Sequence, residues 1–166
     1  MTSGPHSSSV SSQPLRLRLK PKAPTTGHVD GAWWPRTHDL TAELPELAEV
    51  LSVRLGPVHR VAFAMDAWET PPTRRLALGG RQVRLESFRY QDKNIVYVSG
   101  LDRRRISLLV IPPEAGAAAG HDAMMTAAHR GNADSPALIL TKAGVSTGDA
   151  VALAATNAEP APVLSA

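Results

Sequence analysis

The stretch IVYVSGLDRRRISLLVI, residues 95–111, decides the fold of the middle of this chain. Its two ends, residues 95–98 and 106–111, are almost continuously apolar, a pattern typical of strands that are covered on both faces. The segment between them is polar and short, and short connections join antiparallel neighbours. The stretch therefore predicts two buried strands that pair antiparallel.

More strands are predicted upstream of this pair. Apolar side chains alternate over residues 61–65, and they alternate again over residues 76–78 and 83–85, on either side of Gly79 and Gly80. Glycines at such a position favour a β-hairpin, because its tight turn needs positive φ angles. Together with the buried pair, these strands predict a meander of about five strands.

The N-terminal part of the domain is predicted to contribute one strand and one helix. Residues 15–20, LRLRLK, alternate leucine with basic residues, which indicates a strand with one buried face. A helix follows, because five leucines recur at three- and four-residue spacing. They are Leu40, Leu44, Leu47, Leu51 and Leu55. Asp39 is the predicted N-cap, and Pro45 predicts that the helix either starts near Leu44 or kinks there.

The C-terminal part of the domain is predicted to be helical. A second main helix is expected from about Ala117 to Arg130, closed by Gly131. Ser135 and Pro136 then predict the cap and first position of a short helix or turn.

This element order, β-α-β-β-β-β-β-α, predicts an α+β fold. We expect a single domain over residues 15–142, with a mostly antiparallel, curved sheet of about six strands and two main helices. Residues 1–14 are expected to be a disordered tail, and residues 143–166 a largely disordered one. Their compositions offer too little apolar surface to offset the entropy of ordering.

The composition excludes several classes of protein. The chain has no cysteine, which excludes disulfide frameworks and cysteine-based metal sites. No apolar run reaches the roughly 20 residues needed to span a bilayer, and the N-terminus lacks the basic and apolar regions of a signal peptide. We expect a cytoplasmic protein that does not bind membranes.

The charge is concentrated in one part of the chain. Residues 74–105 hold nine basic residues against three acidic ones. Such a stretch attracts phosphate groups, but charge alone is not a nucleic-acid-binding motif. We therefore expect any binding of nucleic acid to be weak and non-specific.

The stretch GHVDGAWWPRTHDL, residues 27–40, is dense in polar and aromatic groups. Trp34 precedes a proline and is predicted to be extended, so Trp33 and Trp34 should point to opposite faces, one into the core and one out of it. The spacing of histidine and aspartate matches no known metal site, and neither a metal nor another cofactor is expected.

The candidate ligand-binding residues lie in and near this stretch. Trp34 and Arg36, beside the free amides of a helix N-terminus, are expected to form a corner that accepts an anion. The full set of candidates is Trp34, Arg36, His38, Asp39, Asp66 and Trp68. No residue is assigned a catalytic role.

Three functions stay open at this point. The first is a non-enzymatic module that binds a small anionic ligand or a protein partner. The second is a small enzyme that uses His38, Asp66 or Asp30 in a pocket beside the candidate tryptophans. The third is a weak, non-specific nucleic-acid binder. A hydrogen bond from His38 or His59 to a carboxylate inside a cleft would favour the enzyme.

Several motifs resemble one known group of proteins. They are LRLRLKP, DGAWWPR with the following HDL, GPVHRVAFAMDAW, GGRQVRL, SLLVIPP and GNADSP, and the resemblance covers about residues 15–140. These motifs resemble a family of small actinobacterial proteins known only as a domain of unknown function. The resemblance implies no activity, but it implies that both tails lie outside the shared domain.

Overall fold

A computed structural model describes residues 14–21, 27–69, 74–78, 80–102 and 104–145. The predicted disordered tails lie outside these ranges, except for Pro14 and residues 143–145. Within the described ranges, seven strands form one sheet. The strands are β1 (Leu17–Leu19), β2 (Gly31–Trp33), β3 (Val58–Ala64), β4 (Arg75–Leu78), β5 (Arg81–Phe88), β6 (Ile95–Gly100) and β7 (Arg105–Val110). The α-helices are α1 (Leu40–Leu55), α2 (Ala117–Ala127) and α3 (Pro136–Ala143).

The sheet is mixed, with the order β1-β2-β7-β6-β3-β5-β4. The predicted hairpin is confirmed as the antiparallel pair β4 and β5, and the predicted buried pair as β6 and β7. However, β2 pairs with β7 in parallel, and β3 pairs with β5 in parallel. The expectation of a mostly antiparallel sheet of about six strands therefore needs correction. Short links identify antiparallel neighbours, whereas both parallel pairs join segments that are distant along the chain or separated by another strand.

The helix α1 begins at Leu40, so the alternative start near Leu44 is wrong. The Asp39 side chain accepts a hydrogen bond from the backbone N–H of Ala42, which confirms the predicted N-cap. Pro45 lies inside the helix on its exposed side. The helix tolerates this proline because the leucine face before and after it is clamped to the sheet.

Two apolar layers sandwich the sheet. The buried leucines of α1 pack on one face of the sheet. They pack against the side chains that the strands from β3 to β7 direct towards this face. The helices α2 and α3 pack on the other face, over β2 and β7. Both faces of β2 are therefore covered.

This double cover corrects the expectation for the two tryptophans. Trp33 and Trp34 do point to opposite faces, but both are buried, at 0% and 7% exposure. Trp33 belongs to the α1 layer, and Trp34 lies beneath α2. Strand alternation fixes the direction of each ring, whereas the depth of each ring depends on helices that are remote in sequence.

The C-terminal helices also differ from expectation. The helix α2 ends at Ala127 rather than Arg130. The segment after the Ser135 cap is a true helix, α3, so the domain has three α-helices in its described part rather than two main ones. Packing continues to Val145, which is buried beside α3. None of the helices in the described ranges is both long and apolar enough to cross a membrane.

The second face of the sheet is only partly covered. The layer formed with α2 and α3 includes side chains of β2 and β7, and none from β3, β4, β5 or β6. In the described part of the chain, this half of the face therefore carries no helix. The side chains that project from it are those that alternate with the α1-facing core residues.

Candidate functional site

A row of arginines crosses the uncovered half of the second face. Arg75 of β4 lies directly opposite Arg84 of β5 in the register of the sheet, and Arg84 lies directly opposite Arg60 of β3. Arg60 pairs with Ser99 of β6, and Ser99 pairs with Arg105 of β7. Residues paired directly across strands project from the same face. We call these four arginines, on four different strands, the arginine row.

The spacing of the strands sets the length of the row. Neighbouring strands lie about 4.8 Å apart, so the four intervals from Arg75 to Arg105 span about 19 Å. The pairing of β3 with β6 shifts between Val58 and Arg60, which leaves His59 as the extra residue of a bulge. His59 and Arg60 consequently line one shallow depression together with Arg84 and Arg105.

One carboxylate lies within the row. Glu86 of β5 forms an ion pair with Arg60 and a second, longer one with Arg84 at 3.6 Å. All three side chains are partly open to solvent. The Nε atom of Arg60 is buried and has no hydrogen-bond partner among the described residues. Among the described residues, the row therefore sets four guanidinium groups against one acid, and Arg60 at its centre retains a buried donor without a partner.

The folded state gains little from this arrangement. Like charges that lie directly opposite each other in a sheet destabilise it, and three arginines are consecutive register partners here. Exposed ion pairs such as those of Glu86 contribute only about 0–1 kcal/mol each. Conflicts between local preference and structure are typical of functional sites.

Aromatic rings share this face. The guanidinium carbon of Arg105 lies 4.6 Å from the centre of the Tyr97 ring, a cation–π distance. Phe88, on the same side of β5 as Arg84, is 41% exposed. A second shallow depression runs from Arg84 and Glu86 towards Arg74, Arg75 and Phe88. The two depressions adjoin each other at Arg84 and Glu86, and we call them together the trough.

The stretch of residues 27–40 has a different character. The Trp34 ring is covered by Arg16, whose guanidinium carbon lies 3.8 Å from the ring centre. Arg16 also donates hydrogen bonds to the carbonyls of Trp34 and Pro35, both at 3.0 Å. Burial lowers the pKa of Arg16, and the charge of Arg36 nearby lowers it further. The cation on Trp34 is thus Arg16, a residue that the sequence analysis did not select.

Arg36 and the start of α1 are occupied by groups of the chain itself. Arg36 donates to the carbonyl of Pro14 at 2.6 Å. The carboxylate of Glu43 accepts from the backbone N–H of Arg36 at 3.3 Å and from the hydroxyl of Thr37 at 2.8 Å. With Asp39 as the cap, two carboxylates lie at this helix N-terminus.

His38 contacts a carboxylate on the protein surface. Its Nε2 lies 2.8 Å from a carboxylate oxygen of Glu114, and its Nδ1 lies 3.3 Å from the carbonyl of Ala67. Both partners are acceptors, so both contacts are satisfied only by a doubly protonated ring. The side chains of His38 and Glu114 are 45% and 66% exposed, and neither lines the trough.

The sequence-derived candidates therefore do not share one pocket. Asp66 is exposed in a 3₁₀ turn, Met65–Ala67, that follows β3. Trp68 is buried and stacks on Trp33 in the α1 layer, on the opposite side of the sheet from Trp34. Among the described residues, no three histidine or acidic side chains come together as a metal site.

Lys20 is a second residue that the sequence analysis missed. Alternation with Leu19 places it on the polar side of the first strand, yet the residue is fully buried. Its Nζ donates to the carbonyl of Asn132 at 2.8 Å, in the loop between α2 and α3. Burial lowers the pKa of Lys20, and the charge of Asp30 opposes this shift. Nothing in the local sequence signals the loop that covers it.

Comparison with known proteins gives one match. The model of a family of unknown function, DUF5994, matches residues 16–127, a range that includes the whole arginine row. The predicted resemblance to a family of unknown function is confirmed by this match. No curated protein and no solved structure gives a significant match. No related protein's name therefore indicates a specific function.

Proposed function

The chain belongs to the DUF5994 family of unknown function, and we propose that it is a non-enzymatic binding module that holds an anionic partner on the arginine row. One observation carries this proposal. Four strands each contribute an arginine to a single line on the uncovered face of the sheet. Guanidinium groups bind phosphate and carboxylate through two parallel hydrogen bonds, which makes a line of them a receptor for a chain of anions.

The corner at Trp34 and Arg36 supports anion binding less well. Arg36 is engaged by the Pro14 carbonyl, and the carboxylates of Asp39 and Glu43 already face the helix N-terminus. An incoming anion would have to displace these contacts and would be repelled by both acids. Among the described residues the row contains one acid, Glu86, and the side chains of the row are partly or fully exposed.

The contact between His38 and Glu114 gives the enzyme alternative limited support. A histidine beside a carboxylate can transfer protons, but here both groups lie on the surface. Neither lines the trough that contains the arginine row. We further propose that this module is a single domain over residues 15–142, that it lies in the cytoplasm and that its source is actinobacterial.

The proposal is tested with the double variant Arg84→Gln and Arg105→Gln. Labelled heparin serves as a generic polyanion, and its binding is measured by fluorescence anisotropy at low ionic strength. We expect the affinity to fall at least about tenfold, since each hydrogen bond to a charged group contributes about 1.5–3 kcal/mol. The matched control changes Arg81 and Arg130 to glutamine, two exposed arginines outside the row.

Two results would contradict the proposal. The first is a wild-type protein that does not bind heparin at low ionic strength. The second is an equal loss of affinity in the control variant, which would show that net charge alone attracts the polyanion. Thermal unfolding of each variant establishes that the fold is retained.

A further inference from the structure

We propose that the anionic partner of the arginine row is single-stranded nucleic acid, with its phosphates along the row and its bases against Tyr97 and Phe88. This inference rests on the proposed function, because it names the partner of the same surface.

The length of the row favours a chain of anions over a single one. The row spans about 19 Å, several times the roughly 3.4 Å by which even a stacked strand advances per nucleotide, and an unstacked strand advances further. A lone phosphate would contact one or two guanidinium groups and leave the others unused. A strand laid across β4 to β7 brings several phosphates within reach of the four arginines.

The aromatic residues distinguish nucleic acid from other polyanions. Tyr97 lies two residues along β6 from Ser99, the serine within the row, and so about 6.6 Å from it on the same face. Phe88 lies on β5, four residues beyond Arg84. Bases stack on aromatic side chains whatever their sequence, and arginine planes add to the stacking. Polyphosphate and polyglutamate have no aromatic rings that could stack on these side chains.

The floor between the two rings is made of small side chains. Tyr97 is the register partner of Ala62, and Phe88 that of Ala64, on the intervening strand β3. Both alanines are buried, and the Nε2 of Gln91, in the turn after β5, donates to the carbonyl of Ala62. The protein itself therefore closes the floor between the rings, so bases would stack on the solvent-exposed parts of Tyr97 and Phe88.

A single strand fits this surface better than a duplex. The bases of a duplex are stacked on each other and cannot lie against Tyr97 and Phe88. Among the described residues, this face presents a broad, shallow trough and no projecting helix that could enter a groove. Open sheets that carry aromatic and basic side chains suit unstacked bases, as single strands provide.

Substitution of Glu86 tests the proposal through an expected increase in affinity for the single strand. Its carboxylate occupies Arg60 and Arg84 and would repel a phosphate chain. The variant Glu86→Gln releases both guanidinium groups, so it should bind more tightly than the wild-type protein. A variant that simply unfolds would show the opposite.

The experiment measures anisotropy of a labelled single-stranded DNA of about 12 nucleotides, a length within the site sizes of single-strand binders. Its competitors are the same sequence as a duplex, inorganic polyphosphate and polyglutamate. We expect the single strand to bind most tightly. We expect the logarithm of the binding constant to fall with that of salt concentration with a slope of about −2 to −3, for three to four contacts.

Substitutions separate the two parts of the surface. The double variant Arg84→Gln and Arg105→Gln should make the slope shallower by about 1.4. Tyr97→Leu and Phe88→Leu should each weaken binding of the single strand by about fivefold or more and leave polyphosphate binding unchanged. Tyr90→Leu is the matched control, because Tyr90 is 93% exposed in the turn after β5.

The outcomes distinguish this inference from the proposed function. Single-strand binding no tighter than that of the duplex, polyphosphate or polyglutamate would overturn the inference and leave an anion-binding row. Equal losses in Tyr97→Leu and Tyr90→Leu would overturn the role of the sheet aromatics. If neither the wild-type protein nor Glu86→Gln binds any of these polyanions, both proposals are wrong.

Discussion

The indole rings of Trp33 and Trp68 stack with their centroids 5.4 Å apart and their planes 22° from parallel. Both side chains are buried in the α1 layer. The stack joins β2 to the turn that follows β3. The strands β2 and β3 are not neighbours in the sheet. The Nε1 atoms of both rings are buried without a hydrogen-bond partner among the described residues. The stack is therefore held by apolar area rather than by polar contacts.

We predict that Trp68→Ala destabilises the domain by about 3–5 kcal/mol, the cost of removing a buried aromatic side chain. Trp68→Phe should destabilise the domain by less than about 2 kcal/mol. The substitution also removes an indole N–H that is buried without a partner, and such a group lowers stability by about 1–3 kcal/mol. Urea unfolding of both variants measures the difference. Equal losses would mean that the indole N–H has a partner that stabilises the fold.

We predict that Gly120→Ala destabilises the domain by about 1–3 kcal/mol, although alanine is the better helix former. A Cβ atom at Gly120 would meet the ring of Trp34. The ring cannot move away easily, since its Nε1 donates to the carbonyl of Pro112 at 3.0 Å and the guanidinium group of Arg16 lies over the ring. Thermal unfolding measures the loss.

Gly131→Ala is the matched control for this substitution, because nothing lies within 4 Å of a Cβ added at Gly131. Its stability should change little. A stable Gly120→Ala variant would show that Trp34 can shift within the α2 layer and is not held as tightly as its contacts indicate.

We predict that the stability difference between the wild-type protein and Lys20→Met depends on pH. Burial holds the pKa of Lys20 in the folded protein below its ordinary value of 10.5. Between the folded and the unfolded pKa, the unfolded chain binds the extra proton, so stability increases with pH. The wild-type protein should therefore gain stability relative to Lys20→Met as the pH rises towards 10.5, and the gain should level off above it.

Urea unfolding at several pH values gives this difference directly, because the other titrating groups are common to both proteins. Lys93→Met, at an exposed lysine in the turn before β6, serves as the control. A difference for Lys20→Met that is constant over the alkaline range would mean that the Lys20 ammonium group is well solvated or fully paired in the folded protein.

The sequence predicts the elements whose signals are local. The hairpin of β4 and β5, the antiparallel pair of β6 and β7, and the caps at Asp39 and Ser135 each depend on a few neighbouring residues. The parallel partners do not. The strand β2 has three residues, too few for a periodic pattern, and its pairing with β7 joins residues as distant along the chain as Gly31 and Leu108.

The same distinction explains what the sequence predicts of the candidate site. The excess of charge over residues 74–105 is visible, and alternation with Leu76, Leu85 and Ile106 puts the neighbouring arginines on the polar sides of their strands. Their alignment into one row needs the order and register of five strands, which no local pattern contains. Arg60 lies outside the basic stretch altogether, and only the parallel pairing of β3 with β5 brings it beside Arg84.

We predict that Arg84→Thr leaves the domain as stable as the wild-type protein or stabilises it by up to about 1 kcal/mol, while weakening polyanion binding. Threonine favours strands, and the substitution removes a charge directly opposite Arg60 and Arg75. Any gain in stability should be smaller at high salt, because screening there already reduces the repulsion between the arginines of the wild-type protein. Arg81→Thr, on the α1-facing side of β5, is the control. Urea unfolding at two salt concentrations measures the change in stability and its dependence on salt. A loss above about 1 kcal/mol would show that Arg84 stabilises the fold, and the conflict between the row and the stability of the sheet would then no longer support a binding role.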